Sequence, residues 1–165
     1  MGNDEPRYFF DTYLVPNYEN WKSAPQDIRL AMNAAVSANQ LADWCVIYWN
    51  KKGDAAKVNN CTPSRVGAYR DSLATNECRD FSIIRDVAEC HKHLEIDRTA
   101  RKISSAYQTA HGSLGWGQGG YGEGVYGGGP QLVIHFDDGT KRAFSAPLKN
   151  VFEMWCRLLN GWGCN

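Results

Sequence analysis

The densest chemistry in this 165-residue sequence lies in one short run, Arg85-Asp-Val-Ala-Glu-Cys-His91-Lys-His93. Two of the chain's four histidines fall here, two residues apart. A histidine titrates near neutral pH, and an arginine holds a phosphate with a planar fork. One group that moves a proton and one cation that stabilises a phosphorane are enough to cleave RNA through its own 2′-hydroxyl, with no metal. On a helix, Arg85 and His91 stand about 9 Å apart along the axis and roughly 120° around it. The pair meets on one phosphate only through side-chain reach or across a dimer.

Simpler readings of the same residues stay open. His91 continues the Ile84 and Val87 stripe and reads equally well as a core histidine. Arg85 and Glu89 form an i,i+4 pair, which as a surface salt bridge contributes a few tenths of a kcal/mol. Lys92, Glu95 and Arg98 read as a solvated face. For a metal site, Cys90 and His93 share a helix face while His91 points away, so ligands would have to come from Cys78 or His111. There is no Cys-x-x-Cys pair, and neither a metal nor a cofactor is expected.

Lysine plus arginine equals aspartate plus glutamate at 18 each, so the formal net charge is zero. Composition therefore does not supply the broad basic face that drives sequence-independent nucleic-acid binding. No apolar run approaches the roughly 18 residues of a membrane helix. The opening MGNDEPRYFF is acidic where a secretory signal is basic, and Pro6 stands where a myristoylation motif carries Ser or Thr. A cytoplasmic location is expected by elimination. The six cysteines are expected to be free, mostly buried thiols.

The elements that must position the charged run are readable from periodicity. The aromatic-rich residues 1–22, broken by Pro16-Asn17, predict a short helix or an extended arm. Ser23-Ala-Pro25-Gln26 has the form of a helix start with a capping box. Behind it Ile28, Ala31, Met32, Ala35, Ala38, Ala42, Cys45 and Trp49 recur at helical spacing to about Asn50. Thr62-Pro63-Ser64 predicts the cap of a shorter helix through Val66, Tyr69 and Leu73. A third helix runs from about Asp80 to Arg98 and carries the charged run. Ile103–Ala110 predicts a strand. Asp137-Asp138-Gly139-Thr140 between Gln131–Phe136 and Lys141–Ser145 is a hairpin signal. Leu148, Val151, Phe152, Trp155, Leu158 and Leu159 predict a closing amphipathic helix. The fold class is mainly α (α+β), one domain over 1–165. It comprises a helical core at 20–98, a glycine-rich loop and hairpin at 99–147, and a C-terminal helix at 148–160.

Gly112–Pro130 holds ten glycines among Trp116, Tyr121 and Tyr126. No lysine follows them and the next element is a strand, so neither phosphate-binding glycine motif is present. The stretch reads as a flexible loop anchored by its aromatics. Alternatively it is a lid or an RNA-stacking loop in which Trp116 and Tyr121 meet bases, beside Lys92 as a phosphate contact.

Arginine, a polar residue and then histidine a few positions on, all on a helix, resembles the signature of the HEPN superfamily (higher eukaryotes and prokaryotes nucleotide-binding domains). Arg85 and His91 match it with five residues between them, and Asp86 is the polar residue. The whole stretch Phe81 to Arg98 resembles a group of uncharacterised bacterial HEPN-like proteins. In that group Arg-Asp-x-Ala-x-x-x-Lys-His precedes a Gly/Tyr-rich segment and a terminal hairpin. The resemblance covers residues 20–98 by architecture and about 18 residues by motif. It implies a helical bundle that dimerises with two such helices face to face. It also implies metal-independent endoribonuclease activity of the toxin–antitoxin or anti-phage kind. Arg85 would stabilise the transition state, His91 or His93 would be the acid/base, and Asp86 would orient one of them. RNA, a second copy, and an antitoxin or defence protein are the implied partners. Many HEPN proteins instead serve as non-catalytic interaction or nucleotide-binding modules, which is the alternative expectation here.

Overall fold

The computed structural model describes residues 2, 4–115, 118 and 129–161. The predicted contacts of Trp116 and Tyr121 lie outside the described residues. Near the N-terminus, α1 (Pro6–Phe9) runs through a π-helical turn at Phe10–Leu14 into α2 (Val15–Ser23) without a break. Proline at 16 has no N–H to donate and crowds the carbonyl four residues back. The helix absorbs this by widening, and the Val15 N–H bonds the Phe10 carbonyl five residues back. Phe9, Phe10, Leu14, Tyr18 and Trp21 are buried. Tyr18 stacks on Phe152 with ring centroids 3.9 Å apart. The segment is a core helix, not an arm.

That continuity moves the start of the next helix. Ser23 ends α2, its hydroxyl donating to the Asn20 carbonyl at 2.7 Å, instead of opening α3. Asp27 takes the capping role: its carboxylate accepts from the Arg29 and Leu30 N–H groups at 2.9 and 3.2 Å, and α3 runs Ile28–Lys51. Ala31, Ala34, Ala35, Ala38 and Ala42 are fully buried along α3. Their small side chains let α6 (Ser145–Gly161) come close enough for the Trp155 indole N–H to donate to the Ala38 carbonyl at 3.0 Å.

Between them, α4 (Val66–Ser72) is preceded by a 3₁₀ turn at Pro63–Arg65, not by an α-helical first turn capped by Thr62. It leaves through a second π-turn at Leu73–Glu77. α5 (Phe81–His93) ends earlier than predicted. Leu94 adopts a φ of 66°, so Glu95, Asp97 and Arg98 lie beyond the helix. The chain then doubles back, with Ile96 N–H bonding Ser104 O and Ala106 N–H bonding Leu94 O.

The predicted strand at Ile103–Ala110 is shorter and later. Ser105 caps a 3₁₀ turn at Ala106–Gln108, with Gln108 completing the capping box, and β1 is Thr109–Gly112. β1 pairs antiparallel with β2 (Gln131–His135), which pairs antiparallel with β3 (Lys141–Ala143). The Asp-Gly turn is as the sequence predicts. Gly139 sits at φ 85°, a left-handed conformation that glycine adopts without strain, and Asp138 accepts from the Thr140 N–H at 2.8 Å. β3 stops at Ala143 because Ser145 already begins α6, with Pro147 in its first turn.

The class is mainly α with a small antiparallel sheet. One core takes Leu14, Leu41, Phe81, Ile84, Ile134, Phe144 and Trp155, so α2 through α6 and β2 share it. Val133 turns to the other sheet face, against Leu114 and Ala143. Among the described residues no helix is long and apolar enough to cross a membrane.

Candidate functional site

Arg85 enters the structure from the middle of α5, with only 9% of its surface exposed. Its Nε donates to Glu89 Oε1 at 2.8 Å, the i,i+4 pair of the sequence. Its Nη1 donates to Asp71 Oδ1 of α4 at 2.6 Å. Gly67, one turn before Asp71 on α4, leaves open the space beside Nη2; a Cβ there would lie 3.8 Å from it. The guanidinium is thereby held on two sides by carboxylates from two helices.

Asp86, the next residue, is fully buried. Its Oδ2 accepts from the Lys102 backbone N–H at 2.6 Å, and its Oδ1 pairs with Arg98. Arg98 also lies 3.5 Å from Glu89 Oε2. The network therefore runs Asp71–Arg85–Glu89–Arg98–Asp86 and ties α4, α5 and the 94–102 segment together. Nearby, Arg70 pairs with Asp43 and so links α4 to α3. Burial, reinforced by the guanidinium of Arg85, pushes the Arg98 pKa down to about 10. Arg98 still carries its charge at neutral pH, as the partner of a buried carboxylate must.

His91, Lys92 and His93 behave differently. All three are exposed on the last turn of α5, where the Lys92 cation suits the negative end of the helix dipole. The Lys92 charge reaches Asp43. His91 does not follow Ile84 and Val87 into the core; it stands on the rim of a cavity of about 470 Å³. The walls of this groove come from the start of α3, the end of α5 and the 106–110 approach to β1. Met32, Val87, Cys90 and Ala106 supply apolar surface, and Tyr107 at its edge is 80% exposed. Arg85 is thus set in an internal ion network, while His91 faces an open apolar groove.

Cys90 and His93 do not share a pocket, because Cys90 is 1% exposed and His93 is at the surface. Among the described residues no group of three His, Cys, Asp or Glu side chains is placed to hold a metal ion. Burial, followed by the nearby Glu89, raises the Cys90 thiol to about 11. A thiol that stays protonated is a poor nucleophile. Iodoacetamide on the native protein at mildly alkaline pH is therefore expected to modify the half-buried Cys61 well before Cys90. Both should react in urea, and mass spectrometry of the peptides reads the order directly. Equal native rates would contradict the enclosed setting of Cys90.

Sequence reasoning missed Asp71, which completes the ion network, the neighbouring Arg70–Asp43 pair, and the roles of Tyr107 and Ile28, which frame the groove. Spacing marked Ile28 only as a position on the α3 stripe, and it marked the others not at all. Each becomes important through a segment distant in the chain. Comparison with protein families, with curated proteins and with solved structures finds no match to this chain.

Proposed function

We propose that this chain is a non-catalytic interaction module of HEPN-like character, working in the cytoplasm through its groove and not through bond-breaking chemistry. One observation carries the reading: Arg85 and Asp86 are committed to internal partners, Asp71 and Glu89 for the first, Arg98 and the Lys102 N–H for the second. A guanidinium clamped by two carboxylates is already neutralised, which leaves little field for a developing phosphorane charge. A carboxylate with no exposed surface orients its own neighbours, not a substrate. The free cysteines among the described residues accord with a reducing compartment.

The second reading is the metal-independent endoribonuclease of a toxin–antitoxin or anti-phage system, acting as a homodimer on RNA. His91, Lys92 and His93 favour it, being exposed together on one turn. Asp71 is the weaker clamp on Arg85, since its side chain is 72% exposed and a substrate phosphate would compete with it directly. Incubating the full chain with RNA in EDTA separates the two. Intact RNA is the expected result. Cleavage by the wild type that disappears in a double His91→Ala, His93→Ala variant would establish the nuclease and overturn the interaction reading.

A further inference from the structure

The groove and the strand beside it make one feature. Among the described residues β1 is an edge strand, paired only to β2. Among the described residues, the Thr109 N–H bonds the Ala106 carbonyl of the preceding turn, and no other backbone group of Thr109–Gly112 is bonded outside that ladder. An open row of N–H and C=O groups is a template for another strand. Native edges are commonly protected by lysines, bulges or a covering helix. Here Thr109 and Ala110 of the strand instead form one wall of the apolar groove.

The chemistry of the groove is specific. Its lining includes Arg29 and His91 but no aspartate or glutamate. The Arg29 side chain is 72% exposed and, among the described residues, held only by Asp27 at 3.4 Å, an interaction of the weak surface kind. Lys92 continues the positive character past the rim, beside the exposed His93. Ile28 and Tyr107 leave apolar surface uncovered at the mouth, at 38% and 80% exposure. Thr109, only 4% exposed, also lines the groove, and its hydroxyl has no hydrogen-bond partner among the described residues. Buried hydroxyls normally find one.

Resting on the interaction reading above, we infer that this site takes an extended acidic peptide segment of a partner protein, which adds to the sheet along β1. Its aliphatic side chains enter the groove between Met32 and Val87, and its carboxylate meets Arg29 and His91. Backbone pairing supplies register and the groove selects alternate side chains, as strand addition requires. Tyr107 closes over the bound segment as a rigid aromatic contact with two side-chain torsions to fix.

A random peptide library displayed on phage, selected against the full-length protein, tests this. Enriched clones are expected to alternate Leu, Ile or Val with polar positions and to carry Asp or Glu at one end. A synthetic peptide of the enriched sequence should shift the amide resonances of Tyr107 to Gly112. Binding should weaken by about tenfold or more in Tyr107→Ala and in Arg29→Glu, both exposed positions whose loss leaves the fold intact. N-methylation at alternate peptide bonds should abolish binding. Four results would overturn the proposal: no enrichment above an unrelated protein, basic or patternless clones, N-methylated peptide binding as well as the parent, or a second copy of the chain already occupying the edge, seen as a dimer by light scattering that Tyr107→Ala dissociates. Failure here with intact RNA above leaves the interaction reading standing without this site, whereas RNA cleavage removes that reading whatever the peptides do.

Discussion

Replacing Asp86 with alanine is expected to destabilise the protein by about 3 to 5 kcal/mol, the range for breaking a buried ion pair by removing one partner. The carboxylate has no exposed surface and meets both a backbone N–H and a guanidinium. Its removal leaves the Lys102 N–H and the largely buried Arg98 charge without that partner, and the stranded charge dominates the loss. Glu89, 3.5 Å from the other end of Arg98, recovers a part. For a chain of this length each kcal/mol lowers the melting temperature by roughly 2 to 4 °C, so a fall of about 10 °C is the expected calorimetric signal. Asp71→Ala provides the control. Its carboxylate also meets an arginine, but from solvent, with 72% of the side chain exposed. Exposed pairs contribute about 0 to 1 kcal/mol, so Asp71→Ala should melt within a few degrees of the wild type. A small loss at Asp86 would mean that Arg98 and Lys102 find other partners and that the carboxylate is dispensable to the fold. Loss of function in Asp86→Ala should also be read together with its folded fraction, because the variant removes structure before it removes chemistry.

The contrast between those two aspartates also marks how far the sequence could be read. Periodicity is a local property, and it located α3, α6 and the Ile84–Val87 part of the α5 core face because their apolar residues recur at helical spacing, whereas His91, on the same stripe, is exposed. Asp-Gly located the hairpin because Gly139 alone satisfies a positive φ there. The ends of elements were harder. Ser23-Ala-Pro25-Gln26 and Asp27 are both competent to start a helix. Asp27 prevails because α2 continues past Pro16 by means of a π-turn and uses up Ser23. α5 stops at His93 with no glycine to announce it. What reverses the chain is tertiary: the Lys102 N–H and Arg98 must return to the buried Asp86. For the same reason the charged run was visible as a cluster but not as a network. Arg85 and Glu89 share a helix and can be paired by counting, whereas Asp71 lies on another helix and Arg98 on a returning loop. The groove was invisible in sequence because three separate segments each contribute one wall.

The largest core effect is expected at Trp155. Trp155→Ala should lower stability by about 3 to 5 kcal/mol, the range for emptying a buried aromatic site. The indole is fully buried, donates to the Ala38 carbonyl at 3.0 Å and meets the Phe81 ring edge-on with centroids 6.0 Å apart. It therefore joins α6 to α3 and α5 at once, and Ala38, the α3 residue it bonds, is too short to fill the void. Trp155→Phe keeps most of the packing and gives up the hydrogen bond, so about 1 to 2 kcal/mol of the loss should remain. Urea titration followed by circular dichroism separates the variants by midpoint, with an unchanged slope if the unfolded state is the same. Tyr107→Ala belongs beside them in the same experiment. At 80% exposure Tyr107 has almost nothing to lose on truncation, and its midpoint should match the wild type within about 0.5 kcal/mol. A large aromatic held in solvent without stabilising the fold is what a binding surface requires. If Tyr107→Ala instead unfolds the chain as Trp155→Ala does, the residue is part of the framework and the groove loses its claim to be a docking edge.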